Sequence, residues 1–245
     1  MEPFISEAED NLHALKENQY NGRGILIGGA ETRKHYVLGS WTQGRSSNSR
    51  NRIYVLDEDG SVRTEAADPS KVEDPRLIIY RAMAERRGLF AVSNGAQTDS
   101  VIENYRDLGL KDVLTDWTYE PDPIHTPRIT GVLTLRPVTP DLELSILRKA
   151  EDSDECEREF FPVVLPEWGL SRCITTYLHD GDPPPAYRGQ PYLLPLVGST
   201  AQEIAEALWE CLNVENRISL AIKMIEKGTG KSTTHVINKY EPVLA

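Results

Sequence analysis

Cysteine is scarce in this chain: Cys156, Cys173 and Cys211 are the only three in 245 residues. So small and odd a number builds no disulfide framework and points to a reducing, cytoplasmic setting. No Cys-x-x-Cys pair exists, and His13, His35, His125, His179 and His235 never recur at the i, i+4 spacing of helical metal ligands. A dedicated zinc site is therefore not expected. Basic residues are in deficit, 27 Lys+Arg against 38 Asp+Glu for a net charge of −11. That balance argues against nucleic acid or an anionic membrane surface as a partner. No apolar run approaches the roughly 18 residues of a membrane span. The opening Met1-Glu2-Pro3-Phe4 lacks the basic start and apolar stretch of a secretory signal. Sequence repeats and low-complexity tracts are also absent.

What is present reads as many short strands and few helices. Residues 1–19 predict an added helix, with Ser6 and Glu9 in capping-box relation and Ala8, Leu12 and Leu15 on one face. Strands are expected at Gly24–Ile27, His35–Trp41, Ile53–Leu56, Ser61–Thr64, Leu77–Tyr80 and Leu89–Val92, with Asp59-Gly60 as a hairpin turn. Val101, Ile102, Tyr105 and Leu108 recur at helical spacing from Thr98, and Gly109 closes that helix before a second stretch over Leu110–Trp117. Further strands are expected at Ile129–Leu135, Leu142–Leu147, Phe160–Leu165, Cys173–Leu178 and Tyr192–Val197. A helix over Ser199–Leu212 is capped by Thr200 and Glu203. Ile218, Leu220, Ile222 and Met224 alternate as a strand, and Gly228-Thr229-Gly230-Lys231 turns into a closing hairpin strand. Hairpins in this number, with few helices, predict an α+β layered sandwich, built as a single domain over residues 1–245.

The Gly228–Thr233 loop mimics a phosphate-binding P-loop, but Ile225 stands where that pattern needs glycine, and no helix follows. Three other clusters carry chemistry. From Thr32 to Leu56 there is no acidic residue but Arg33, Lys34, Arg45, Arg50 and Arg52, interleaved in the middle with Ser46, Ser47, Asn48, Ser49 and Asn51. Guanidinium forks beside hydroxyls and amides suit a phosphate monoester, though a solvated surface loop has the same composition. Ser93-Asn94-Gly95 with Thr98-Asp99 sets amides and a carboxylate at a strand-to-helix junction, fit either for a polar heterocycle or for capping the helix by Thr98. Tyr119-Glu120-Pro121-Asp122 and then Thr126-Pro127-Arg128-Ile129 offer acid–base groups or simply a proline-fixed loop.

Taken in order, Tyr20-x-Gly22-Arg23-Gly24, Gly44-Arg45-Ser46 to Asn51-Arg52, Asp74-Pro75 through Ile79-Tyr80, Ser93-Asn94-Gly95 with Thr98-Asp99, and Tyr119-Glu120 with Thr126-Pro127-Arg128-Ile129 resemble the archaeal-type IMP cyclohydrolase family and its bacterial relatives. The similarity is at motif level from about Tyr20 to Gly131 and looser from there to Tyr240. It implies a four-layer αββα sandwich of the N-terminal-nucleophile-hydrolase kind. It also implies cyclodehydration of 5-formamidoimidazole-4-carboxamide ribonucleotide to IMP, which needs no cofactor.

By the same resemblance Arg52, Tyr80 and Glu120 are the expected catalytic residues. Arg52 would stabilise charge or anchor phosphate, Tyr80 would donate to the developing oxyanion, and Glu120 would orient the carboxamide or take its proton. Arg23, Arg45 and Ser46 are expected on the phosphate, with Thr126 and Arg128 as further substrate contacts. Asn94 and Asp99 would recognise or support the base. The segment before the first strand, Tyr20-Asn21-Gly22, holds no Cys, Ser or Thr nucleophile, so acyl-enzyme chemistry is not expected. Two other functions stay open: a purine-nucleotide-binding protein without turnover, and an amidohydrolase of small amides. A homo-oligomer is expected in each case.

Overall fold

Most strands carry apolar side chains on both faces, and such strands must be covered on both. In the computed structural model, which describes residues 2–242 apart from 73–74 and 76–77, that cover is supplied by stacking. One sheet contains β1 (Arg23–Gly29), β2 (His35–Gln43), β10 (Leu170–Thr175), β11 (Tyr192–Pro195), β12 (Arg217–Glu226) and β13 (Ser232–Asn238). Its order is β11-β10-β1-β2-β12-β13. The other contains β3 (Ile53–Leu56), β4 (Val62–Glu65), β5 (Arg81–Arg86), β6 (Leu89–Ser93), β7 (Arg128–Thr134), β8 (Asp141–Lys149) and β9 (Cys156–Val163), in chain order. Every pairing among these strands is antiparallel.

The alternation of side chains sorts the residues into layers. Ile25, Ile27, Leu38, Ala221 and Ile225 of the first sheet meet Tyr54, Phe90, Val92, Ile129 and Leu144 of the second in a core between the sheets. The intervening residues Leu26, Val37, Trp41, Leu220 and Ile222 face outward onto Leu15 of α1 (Glu2–Glu17) and Ile204, Ala205 and Leu208 of α4 (Ala201–Trp209). Leu89, Ala91 and Val132 face the other way, onto Val101 and Ile102 of α3 (Gln97–Val113). The chain is thus α+β, with two antiparallel sheets face to face and helices on both outer surfaces. None of the described helices is long and apolar enough to cross a membrane.

Three sequence expectations are corrected. α1 begins at Glu2, so Ser6 lies inside the helix and caps nothing. The strand expected at Leu77–Tyr80 is displaced: Ile78–Tyr80 is irregular, the strand is β5, and Leu77, like Asp74, lies outside the described residues. Thr64 holds the irregular stretch: its hydroxyl donates to Ile78 O and accepts from Tyr80 N, while Thr64 N donates to Tyr80 O. The cap of α3 is Ala96, with no side-chain bond, because the Thr98 hydroxyl turns back to Ser93 and Gly95. As expected, Gly109 (φ 78°) closes the stretch that begins at Gln97, and a second helical stretch starts at Leu110, ending at Val113 instead of Trp117. The Thr200–Glu203 capping box and the Gly228–Gly230 hairpin occur as expected.

Candidate functional site

The inward stripes of several strands change character at one end of the sandwich. Along β1 the inward positions read Ile27, Ile25, Arg23, and along β6 and just beyond it Phe90, Val92, Asn94. Tyr54 is preceded two residues earlier by Arg52, and Ala82 by Tyr80. Where the apolar layer ends, the same alternation therefore aims charged and polar groups into a cleft of about 340 Å³. Tyr20, Arg23, Arg45, Ser46, Asn48, Ser49, Arg52, Glu120, Asp122, Thr126 and Tyr177 are among its walls.

Two glycines fix the entry. Gly22 has φ 74°, and a Cβ there would lie 2.2 Å from the Thr176 hydroxyl. At Gly24 a Cβ would lie 1.9 Å from the Trp41 ring, which crosses β1 at that point and donates from Nε1 to Asn21 Oδ1 at 2.9 Å. The Tyr20–Gly24 motif thus encodes a turn that delivers Arg23 to the cleft floor.

At that floor Arg23 Nη2 lies 3.6 Å from Glu120 Oε2, with both side chains buried. Burial pushes the Glu120 carboxyl above its ordinary value, against the pull of Arg23, Arg128 and Arg52. Burial opposes the charge of Arg23 too, but Glu120 outweighs it and holds that guanidinium above its ordinary pKa. Arg52 is lowered by burial and by the like charge of Arg23. Its Nε and Nη1, Arg23 Nε and the Tyr80 hydroxyl are buried without a hydrogen-bond partner among the described residues. Orphaned donors in such number mark a place built for an acceptor from outside the chain.

The expected residues do not all take the roles assigned to them. Arg45 lines the mouth, its guanidinium 4.5 Å from the Tyr20 ring centroid and its Nη1 bonded to Asp180 Oδ1 at 2.5 Å and Gly181 O at 2.8 Å. Ser46 lines the cleft, but its hydroxyl holds the capping box with Ser49 that starts the single turn α2 (Ser47–Arg50). Thr126 is buried in the wall, where its hydroxyl meets Asp122 and Tyr177. Arg128 is not in the cleft lining. It bonds Gln97 Oε1 at 3.1 Å and sits 5.1 Å from the Trp117 ring. Asn94 is a support: Nδ2 donates to Pro127 O at 2.8 Å and approaches Glu120 Oε1 at 3.5 Å, while Oδ1 accepts from Ile129 N. Asp99 is the clear departure, since it pairs with Arg81 at 2.5 Å on the surface of the first turn of α3, outside the cleft. The basic cluster divides as well. Arg33 and Lys34 sit at the opposite end of the β1–β2 hairpin, and Arg50 ties the loop to Gly44 O and Asn216 Oδ1.

Sequence reasoning missed Tyr20, Asp122 and Tyr177 as site residues. The first two stand inside motifs already noted. Tyr177 has no local signal and reaches the cleft only because β10 pairs with β1.

Comparison with known families agrees with this geometry. The sequence matches the family described as IMP cyclohydrolase-like protein over residues 20–230. The chain belongs to that family. No curated protein matches it. In this IMP cyclohydrolase-like chain the matched span begins at Tyr20, the first residue of the cleft wall, and leaves α1 outside it.

Proposed function

We propose that the protein is an IMP cyclohydrolase, closing 5-formamidoimidazole-4-carboxamide ribonucleotide to IMP with loss of water. The observation that carries this reading is the buried Arg23–Glu120 pair beside an unpartnered Arg52. The floor holds more positive than negative charge and waits for an anion, while the carboxyl beside it is poised above its usual range. Family membership supports the same reaction class.

The chemistry follows from the groups present. The carboxamide nitrogen is a poor nucleophile and must be held against the formyl carbon. As the C–N bond forms, Glu120 accepts the proton leaving nitrogen, and the formyl oxygen gains charge under the Tyr80 hydroxyl. That oxygen takes up two protons, one returned by Glu120 from the carboxamide nitrogen and one from the formamido nitrogen, and departs as water while the ring C=N bond forms. Arg52, Arg23 and Arg45 balance the phosphate. The described helices and sheets fit an αββα sandwich of the N-terminal-nucleophile-hydrolase kind acting as one domain, and a cytoplasmic homo-oligomer is our working assembly.

The full-length protein mixed with the formamido nucleotide should show the absorbance change of purine formation. IMP binding without turnover would replace the enzyme by a nucleotide-binding protein, and hydrolysis of simple amides would favour an amidohydrolase. In the same assay Arg45→Ala should weaken IMP by about 1.5 kcal/mol, one charge-assisted bond, and leave inosine unchanged. Equal losses for nucleotide and nucleoside would remove Arg45 from the phosphate.

A further inference from the structure

One wall of the cleft has a polarity opposite to the rest. Thr126 N donates to Asp122 Oδ1 at 2.7 Å, and Thr126 Oγ1 donates to Asp122 Oδ2 at 2.5 Å. A threonine hydroxyl has one proton, so the 2.7 Å contact between Thr126 Oγ1 and Tyr177 Oη must be donated by the tyrosine. The chain of bonds therefore runs Tyr177 to Thr126 to Asp122, and each hydroxyl proton in it is already engaged. Burial raises the Tyr177 pKa, so the phenol keeps its proton for that bond. What this wall can offer a ligand is lone pairs only, on Asp122 and on the Tyr177 oxygen. The facing groups Arg45, Arg52 and Arg23 can only donate.

A ligand that satisfies both sides carries an anion at one end and hydroxyl donors at the other. A second phosphate is repelled by Asp122, and an apolar ring offers no donor to the carboxylate's remaining lone pairs. We infer that Asp122, oriented by Thr126 and Tyr177, takes the vicinal ribose hydroxyls of the nucleotide and makes the site selective for ribo- over deoxyribonucleotides. A carboxylate matches a cis-diol because each oxygen accepts one hydroxyl, the same pairing by which acidic side chains recognise ribose in dinucleotide sites. The inference rests on the nucleotide reading and deepens it, by naming what selects the sugar.

The test compares IMP with 2′-deoxy-IMP by equilibrium titration of the full-length protein. The wild type should prefer IMP at least tenfold. Asp122→Asn should reduce that preference below threefold, chiefly by weakening IMP, because the new amide NH₂ removes one of the two acceptors. Loosening of the 122–126 turn would lower both affinities together and leave the ratio intact, and that result would overturn the role. Should Asp122→Asn fail to fold, the wild-type ratio alone decides: equal affinities for the two ligands overturn the inference while leaving the cyclohydrolase reading standing. Binding of neither ligand would overturn the nucleotide reading and this inference together.

Discussion

Replacing Glu120 by Gln should lower kcat by about 10³-fold while leaving IMP bound at least as tightly as before. General-base catalysis is worth about 10²–10⁴ in rate, and among the described residues no other carboxylate is buried with Arg23. The amide keeps the shape and can still accept from Asn94, so positioning survives and proton transfer does not. Binding is expected to hold or tighten, because losing the carboxylate removes a negative charge that competes with the phosphate for Arg23 and Arg52. The pH profile gives a second reading. Burial raises the Glu120 pKa, so the base is neutral at low pH, and kcat/KM should rise through a limb above the ordinary carboxylate value of 4.5. A bound phosphate adds negative charge and disfavours ionisation further, which moves the limb of kcat higher than that of kcat/KM. Both limbs should vanish in Glu120→Gln. An unchanged kcat, or a limb that persists in the variant, would take proton transfer away from this residue.

How much of this was legible in the sequence depends on whether local pattern or long-range pairing made the feature. Ile25 and Ile27 alternating with Leu26 announce a strand covered on both faces, and the layer order follows from enough such strands. Thr200 and Glu203 announce a helix start because capping is decided within four residues. Ser6 and Glu9 have the same spacing and cap nothing, since α1 was extended upstream past a position that local chemistry alone would have ended. The strand begins only at Arg81, and the stretch before it is held from another strand, by Thr64 on Ile78 O and on Tyr80 N, a contact that no local spacing encodes. At the site, Arg23 and Glu120 were identifiable as residues, but their contact joins β1 to the loop before β7 and no spacing encodes it. Ser46 does line the cleft, but its hydroxyl also accepts from Ser49 N in the cap of α2, because a serine next to a turn serves its own backbone as well. Asp99 likewise does what acids do in a first helical turn, and remains on the surface with Arg81.

The two arginines buried at the cleft floor should respond to mutation with opposite signs, which separates the pair that holds the floor together from the cation held in reserve. Arg23→Ala leaves Glu120 buried without its nearest counter-charge, a change that typically costs about 3–5 kcal/mol. In this variant the Glu120 pKa, already raised by burial, rises further. Such a group supports the fold while protonated, below its unfolded value, and loses that support as pH climbs through the folded value. The deficit should therefore shrink toward acidic pH, and adding Glu120→Gln should restore part of it. Arg52→Met runs the other way. Burial and Arg23 both disfavour its charge, and two of its donors have no partner among the described residues, so an apolar side chain of similar length removes an unfavourable group. The unliganded protein should gain about 1–2 kcal/mol, a rise of a few degrees in Tm for a chain of this size, while the stabilisation conferred by IMP disappears. That pairing of a firmer fold with a lost ligand is the signature of a charge kept for binding. If Arg52→Met instead destabilised the free protein as much as Arg23→Ala does, Arg52 would be a structural partner of the floor, and its place against the phosphate would have to be given up.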